Sequence, residues 1–229
     1  MKNLRLILTA IALTFCSNVL AEDALSSFNG AYVSLGGGYQ HNTIEKENVR
    51  AVSGFPSIDQ PNASNNDFVG RIQAGYGRDL SEKFNFSVGV FYDLGGNKVN
   101  DIKATAYQDN VKQSIENTMG VFIAPGYYVN KQTLLFVKAG YVRADKEYTR
   151  YKQELPDVDI NINLRNSVDG YLWGVGVKHL VSENVFVGAD FTRCSFGKSS
   201  SVANLNGLEV EISSKAEQTN VLFSLGYQF

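Results

Sequence analysis

The chain has 229 residues, 44% hydrophobic and 12% aromatic, with 21 basic and 23 acidic residues and a formal net charge of −2. That balance gives no electrostatic pull toward nucleic acid, and the length suits one domain of moderate size. Prolines number only four and no Pro- or Ser/Gly-rich linker breaks the chain, so no domain boundary is expected.

The N-terminus reads as a secretory leader. Lys2 and Arg5 precede an apolar run from Leu6 to Phe15, and Val19 and Ala21 stand at the −3 and −1 positions of a cleavage site. The expected division is a signal peptide over 1–21 and a mature domain over 22–229. The run is shorter than the roughly 20 residues a transmembrane helix needs. Leu13-Thr14-Phe15-Cys16 resembles a lipobox, but Phe15 is too bulky for the position before a modified cysteine. Without the leader, 19 basic residues face 23 acidic ones, a net charge of −4, and Cys194 alone remains, so no internal disulfide can form.

Beyond the leader the chain alternates with period two, the mark of strands with one apolar face. In chain order, Val33, Leu35 and Tyr39 oppose Ser34, Gly36, Gly38 and Gln40; Phe68, Ile72, Ala74 and Tyr76 oppose Arg71, Gln73, Gly75 and Gly77. Phe84 to Leu94 alternates with Asn85, Ser87, Gly89, Phe91 and Asp93. Val121, Ile123, Tyr127 and Val129 share a face against Gly120, Ala124 and Gly126. Leu135, Val137, Ala139 and Tyr141 face away from Lys138 and Gly140; Tyr171, Trp173, Val175 and Val177 from Gly170, Gly174, Gly176 and Lys178. Val185, Val187, Ala189 and Phe191 oppose Gly188, Asp190 and Thr192, and Thr219 to Phe229 opposes Gln218, Asn220, Ser224, Gly226 and Gln228, with Leu222 the exception. Eight strands are predicted. Three links are tight and polar, at Ser81-Glu82-Lys83, Asn130-Lys131-Gln132 and Ser182-Glu183-Asn184. The others, roughly 43–66, 97–115, 151–166 and 199–214, read as long polar loops.

Short turns alternating with long loops describe an antiparallel up-and-down barrel, all-β, with its turns in the periplasm and its loops outside the cell. A soluble barrel would turn its bulky apolar face inward. Here the opposite face carries Arg71, Gln73, Asn85, Asp93, Lys138, Lys178, Asp190, Asn220 and Gln228 among glycines and serines, so the apolar face meets lipid. The barrel must then be closed, because an open edge in hydrocarbon leaves backbone groups unpaired.

These residues resemble the small outer-membrane β-barrel proteins of Gram-negative bacteria, the opacity-type, OmpX-like and OmpA-barrel group. The resemblance lies in "GAYVSLGGGY", "GRIQAGYGRDL", "LLFVKAGYVRA" and the terminal "LGYQF", and it spans the mature chain. It implies an outer-membrane location and recognition of Phe223, Leu225, Tyr227 and Phe229 by the outer-membrane assembly machinery. The chain stops there, without the peptidoglycan-binding domain that comes after OmpA barrels, so cell-wall attachment by that route is not expected.

Six Gly-Tyr pairs put a glycine in the lumen and a tyrosine toward lipid. Tyr76, Tyr127 and Tyr227 form a periplasmic aromatic girdle and Tyr39, Tyr141 and Tyr171 an outer one, beside Tyr92 and Phe191. The glycines relieve crowding in a narrow interior. The lumen charges Arg71, Asp93, Lys138, Lys178 and Asp190 are expected to form a paired structural network. Arg143, Arg193 and Lys215 lie in lipid-facing phase just above the outer girdle, where they could meet lipopolysaccharide phosphates or simply face solvent. His41 and His179 are the only histidines. Asp67 could orient His41, yet no serine stands where a lipid A-modifying enzyme would need one. No catalytic residue, metal ligand or cofactor is expected. The leading function is a non-enzymatic structural or surface-interaction barrel, adhesin-like and working through its loops on host or surface ligands. Asn62-Ala63-Ser64-Asn65-Asn66, Ser199-Ser200-Ser201 and the stretch from Tyr148 to Tyr151 give those loops polar and aromatic character. The alternative is a narrow channel for ions or small solutes. The glycine-rich Gly30 to Asn42 is not a phosphate loop, since no helix comes after it to hold an anion.

Overall fold

The computed structural model describes residues 28–51, 63–95, 97–104, 109–152, 161–197, 199–205 and 208–229. The signal peptide and its cleavage site lie outside these residues. Every described element is a strand: β1 (Gly30–Ala51), β2 (Ala63–Asp79), β3 (Phe84–Leu94), β4 (Asn97–Ala104), β5 (Asp109–Asn130), β6 (Thr133–Lys152), β7 (Asn161–Leu180), β8 (Val185–Phe196), β9 (Ser199–Leu205) and β10 (Leu208–Gln228). All pairings are antiparallel, and β10 pairs back onto β1 from Tyr32↔Gln228 to Ala51↔Val210, which closes the sheet. β4 pairs with β5 above β3, and β9 with β10 above β8. The ten segments are thus eight barrel strands, two of them interrupted. The first interruption begins at Gly95, whose φ of +125° lies where side-chain-bearing residues rarely go.

The three tight turns stand where predicted. Leu80 N and Ser81 N donate to Phe84 O, and Val181 N donates to Val185 O. The opposite end differs from expectation, for much of the chain read as loop is strand. β1, β5, β6, β7 and β10 run for 20 to 22 residues, while a tilted crossing uses only about 9–11. The walls therefore rise as a ladder well past the outer tyrosines. Alternation fades there because neither face meets lipid, whereas backbone pairing continues regardless of polarity. Ala63 to Asn66 belongs to β2, Tyr148 to Tyr151 to β6 and Ser199 to Ser201 to β9. Asn62 lies outside the described residues.

The outward face matches the alternation. Val33, Leu35, Ile72, Val88, Val121, Val137, Val175, Phe223 and Leu225 are exposed on the wall. The inward face needs correcting, since it is not simply small and polar. Tyr32, Phe91, Phe122, Leu134, Phe136, Leu172, Phe186 and Leu222 all point in and are buried. Five of the rings fit because each has a glycine as its direct cross-strand partner: Tyr32 on Gly75, Phe91 on Gly120, Phe122 on Gly89, Phe136 on Gly126 and Gly176, Phe186 on Gly226. A Cβ at Gly120 would stand 2.6 Å from the Phe91 ring, and one at Gly75 equally close to Tyr32. The inward glycines are thus sockets for inward aromatics, the cross-strand arrangement in which an aromatic covers a glycine.

Candidate functional site

The interior is layered. At its middle, Arg71 on β2 and Asp93 on β3 are register partners. Their side chains make a two-point pair, Nε to Oδ1 at 2.5 Å and Nη2 to Oδ2 at 2.9 Å, and both are almost wholly buried. The Arg71 guanidinium also lies 4.1 Å from the Phe91 ring centroid. Lys138 on β6 reaches Asp190 Oδ2 at 3.0 Å and Gln73 Oε1 at 3.2 Å, above the Phe122 ring at 4.6 Å. Four of the five predicted lumen charges are therefore joined in two pairs. Lys178 stands apart, its ammonium 3.8 Å from the Tyr32 ring centroid and 5.2 Å from that of Phe186.

Apolar layers flank this one. Phe28, Tyr32, Leu134, Leu180 and Phe186 fill the periplasmic end. Phe28 precedes β1 yet is 2% exposed. Its backbone N donates to Tyr128 Oη at 2.9 Å, its carbonyl accepts from Asn85 Nδ2 at 3.2 Å, and Tyr128 in turn donates to Asp79 Oδ1 at 2.7 Å. Above the charges, Ile115, Phe122, Val142, Ala144, Val168, Leu172, Cys194 and Phe196 pack together. Buried amides from Gln40, Asn42, Gln218 and Asn220 line the closing seam beside them.

The outer rim is polar on the outside of the wall. Arg143 Nε lies 3.7 Å from Asp169, while Arg193 and Lys215 share Glu217, Lys215 at 3.6 Å. Asn117, in the left-handed region at φ +52° within a β5 bulge, accepts from Tyr92 Oη at 2.8 Å and donates to Asp145 at 3.0 Å. Hydrogen bonds from Asn117, Arg165 and Ser167 hold the Asp145 carboxyl below its ordinary value of 3.8. A depressed folded pKa means that the contribution of this knot is complete above the unfolded pKa and is lost as pH falls through the folded one. Limited proteolysis of the rim should accordingly be unchanged from pH 7 to 5 and faster near pH 3, and Asp145→Asn should lose the pH dependence.

His41 faces outward, with Nδ1 2.5 Å from Asn66 Oδ1 and Nε2 3.3 Å from Thr43 Oγ1. Asp67 does not orient it. Register pairs His41 with Asn66, so Asp67 lies one residue on, in inward phase, and accepts from Asn65. His179 meets Thr133 Oγ1 at 2.9 Å near a periplasmic turn.

The outer membrane protein β-barrel domain family matches residues 7–229. The chain belongs to that family. It is an integral protein of the Gram-negative outer membrane. Among solved structures the outer-membrane β-barrel resembles OprG from Pseudomonas aeruginosa, at 9% identity and TM-score 0.55, over 90% of this chain and 99% of that one. It also resembles the outer membrane protease OmpT from Escherichia coli, at 9% identity and TM-score 0.52, over 91% and 99%. Ail, the attachment invasion locus protein of Yersinia pestis, solved in complex with the heparin analogue sucrose octasulfate, matches at 10% identity and TM-score 0.39, over 83% and 99%. No curated protein matches the sequence.

In this barrel the tyrosines assigned to the girdles, Tyr39, Tyr76, Tyr127, Tyr141, Tyr171 and Tyr227, all point outward and are exposed on the wall. Tyr141 and Tyr171 are direct partners, and Tyr127 pairs edge-on with Phe84 at 5.4 Å. Phe223, Leu225 and Tyr227 share the outward face of β10, and Phe229, just past its end, is exposed as well. The Phe28 latch was not read from the sequence. Phe28 precedes the first alternating residue, so no periodicity marks it, and its partners come from 57 and 100 residues away.

Proposed function

We propose that this outer-membrane barrel is a non-enzymatic surface scaffold, with recognition carried by its raised extracellular walls and the segments that join them. The filled interior is the observation that supports this reading. Paired charges sit between two apolar layers, and the periplasmic layer is latched by Phe28, so a path for solutes would have to break buried contacts. The histidine surroundings support a non-enzymatic role, because His41 has amide and hydroxyl neighbours on the outer wall rather than a carboxylate. In planar bilayers the protein should show no stepwise conductance. Reproducible ion steps that change in Lys138→Met would instead establish the narrow-channel reading. Replacing segments 52–62 and 153–160 with short Gly-Ser turns should abolish adhesion to host cells or matrix while leaving the folded barrel intact; undiminished adhesion would sink the scaffold reading.

The same reading assigns the tyrosine rows to the two membrane interfaces and the outward row of β10 to capture by the assembly machinery. It also assigns Arg193 and Lys215 to lipopolysaccharide phosphates. Among the described side chains Glu217 is the one acid shared by those two cations, whereas Asp169 faces Arg143 as its single cation. A double Arg193→Ala, Lys215→Ala variant should therefore co-purify with several-fold less lipopolysaccharide, and Arg143→Ala should change little. Equal lipopolysaccharide content in the double variant and the wild type would refute the assignment.

A further inference from the structure

One register row crosses five strands at mid-barrel: Lys178 on β7, Gly188 on β8, Ser224 on β10, Gly36 on β1 and Arg71 on β2. Two cations stand at its ends and three small residues lie between. Strand alternation aims all five into the lumen, so the row forms a hollow with a cation at each rim. The glycines keep it open: a Cβ on Gly188 would come 2.7 Å from Ser224 Oγ, and one on Gly36 would lie 3.4 Å from Ser224 Cβ. Ser34 and Gln73 border the same cavity, which has room for a single particle of about water size.

Charge and hydrogen bonding ask for an acceptor there. In this layer three cations, Arg71, Lys138 and Lys178, face two carboxylates, Asp93 and Asp190, and all are buried except Asp190, whose side chain is 15% exposed. Both carboxylates are engaged by Arg71 and Lys138, while Lys178, 92% buried, hydrogen-bonds to neither among the described residues and packs on aromatic faces, with Asp190 bordering the same cavity. An uncompensated buried charge is costly in a low-dielectric interior. A buried carboxylate against Lys178 would have answered this, yet the row offers glycine and serine instead. We propose that the hollow is a binding site for a small inorganic anion of halide size, with Lys178 and the Ser224 hydroxyl as its donors and Arg71 as the second positive wall. Asp190 Oδ1, which has no hydrogen-bond partner at the cavity edge, sets the limit on ligand charge: a monovalent ion neutralises the layer, and a divalent one would overshoot it.

The test uses the whole folded barrel in detergent. Heat-dependent gel mobility gives an unfolding midpoint in sodium chloride, bromide or gluconate at matched ionic strength, and anomalous diffraction from bromide-grown crystals locates the ion. The expected result is a bromide peak beside Lys178 and a midpoint that rises with halide but not gluconate concentration, as ligand linkage requires. Lys178→Met should remove both effects. Gly188→Ala, which keeps every charge and only fills the hollow, should remove them too, so a folding defect in the lysine variant does not obscure the answer. Coincident midpoints in halide and gluconate, no bromide peak in the wild type, or a halide effect that survives both variants would each overturn the proposal.

Discussion

Arg71→Met should destabilise the barrel by about 3–5 kcal/mol, the usual consequence of removing one partner from a buried ion pair. The variant strands Asp93, which is 2% exposed and, among the described residues, forms an ion pair with no other cation. Most of the loss is the uncompensated carboxylate rather than the missing attraction, so a double variant, Arg71→Met with Asp93→Leu, should recover most of it. Phe91, over which the guanidinium now lies, would receive the new apolar side chains. Lys138→Met should cost less, because Asp190 is 15% exposed at its side chain and Lys178 borders the same cavity as a second cation. The rim pair Arg165 with Asp145 is half in water, and its loss should cost under about 1 kcal/mol. Urea-gradient unfolding in detergent orders the four variants. If Arg71→Met and Arg165→Met unfold at the same denaturant concentration, the lumen pair is not a structural centre.

The wall was legible because lipid imposes a strict rule. Wherever hydrocarbon touches the strand, every second residue must be apolar, and Phe84 to Leu94 or Leu135 to Tyr141 show it directly. Pairing partners could be read from the short turns. Legibility failed where the rule relaxes. Above the outer girdle Glu45-Lys46-Glu47 alternates nothing, although it continues β1 against β10. Inside the barrel, a residue is judged by its cross-strand neighbour rather than by its own strand, so the inward Phe122, Phe136 and Phe186 are explained only by their glycine partners. The lumen charges could be grouped as a set from the sequence, since inward phase is local. Which acid meets which base depends on strand adjacency and side-chain reach, and Lys178 was left over for that reason. Asp67 failed by a single residue of phase, which in a strand moves a side chain to the opposite face.

Gly38→Val should prevent most chains from closing, whereas Gly37→Ala should fold nearly as well as the wild type. The two glycines are neighbours in sequence and opposite in consequence. Gly38 points inward on the β1–β10 seam, where a Cβ would fall within the contact radius of the Val221 carbonyl oxygen and 2.8 Å from Leu222 Cα. Both obstacles are backbone, held by the ladder on each side, and they cannot turn away as a side chain can. Gly37 points outward, and its added Cβ would meet only the tip of the Phe68 ring at 3.0 Å, which can swing into lipid. Overpacking in a yielding core costs typically 1–3 kcal/mol. At this seam the alternative to strain is worse, since each backbone group left unpaired in hydrocarbon costs several kcal/mol. The seam must therefore close at full register or not at all. The C-terminal end of that register is already secured by Gln228 Nε2 donating to Asn29 O and Ala31 O, both at 3.1 Å, and by Phe229 N donating to Ala31 O at 2.8 Å. These ties lie about three turns of alternation from Gly38, too far to absorb a displacement of β10 there. Gly38→Val should consequently appear as protein that migrates as unfolded without heating and is cleaved by added protease, while Gly37→Ala keeps the compact, heat-modifiable band. A Gly38→Val barrel with the wild-type unfolding midpoint would show that β1 and β10 can separate without loss, and that close approach at the seam is not what the glycine provides.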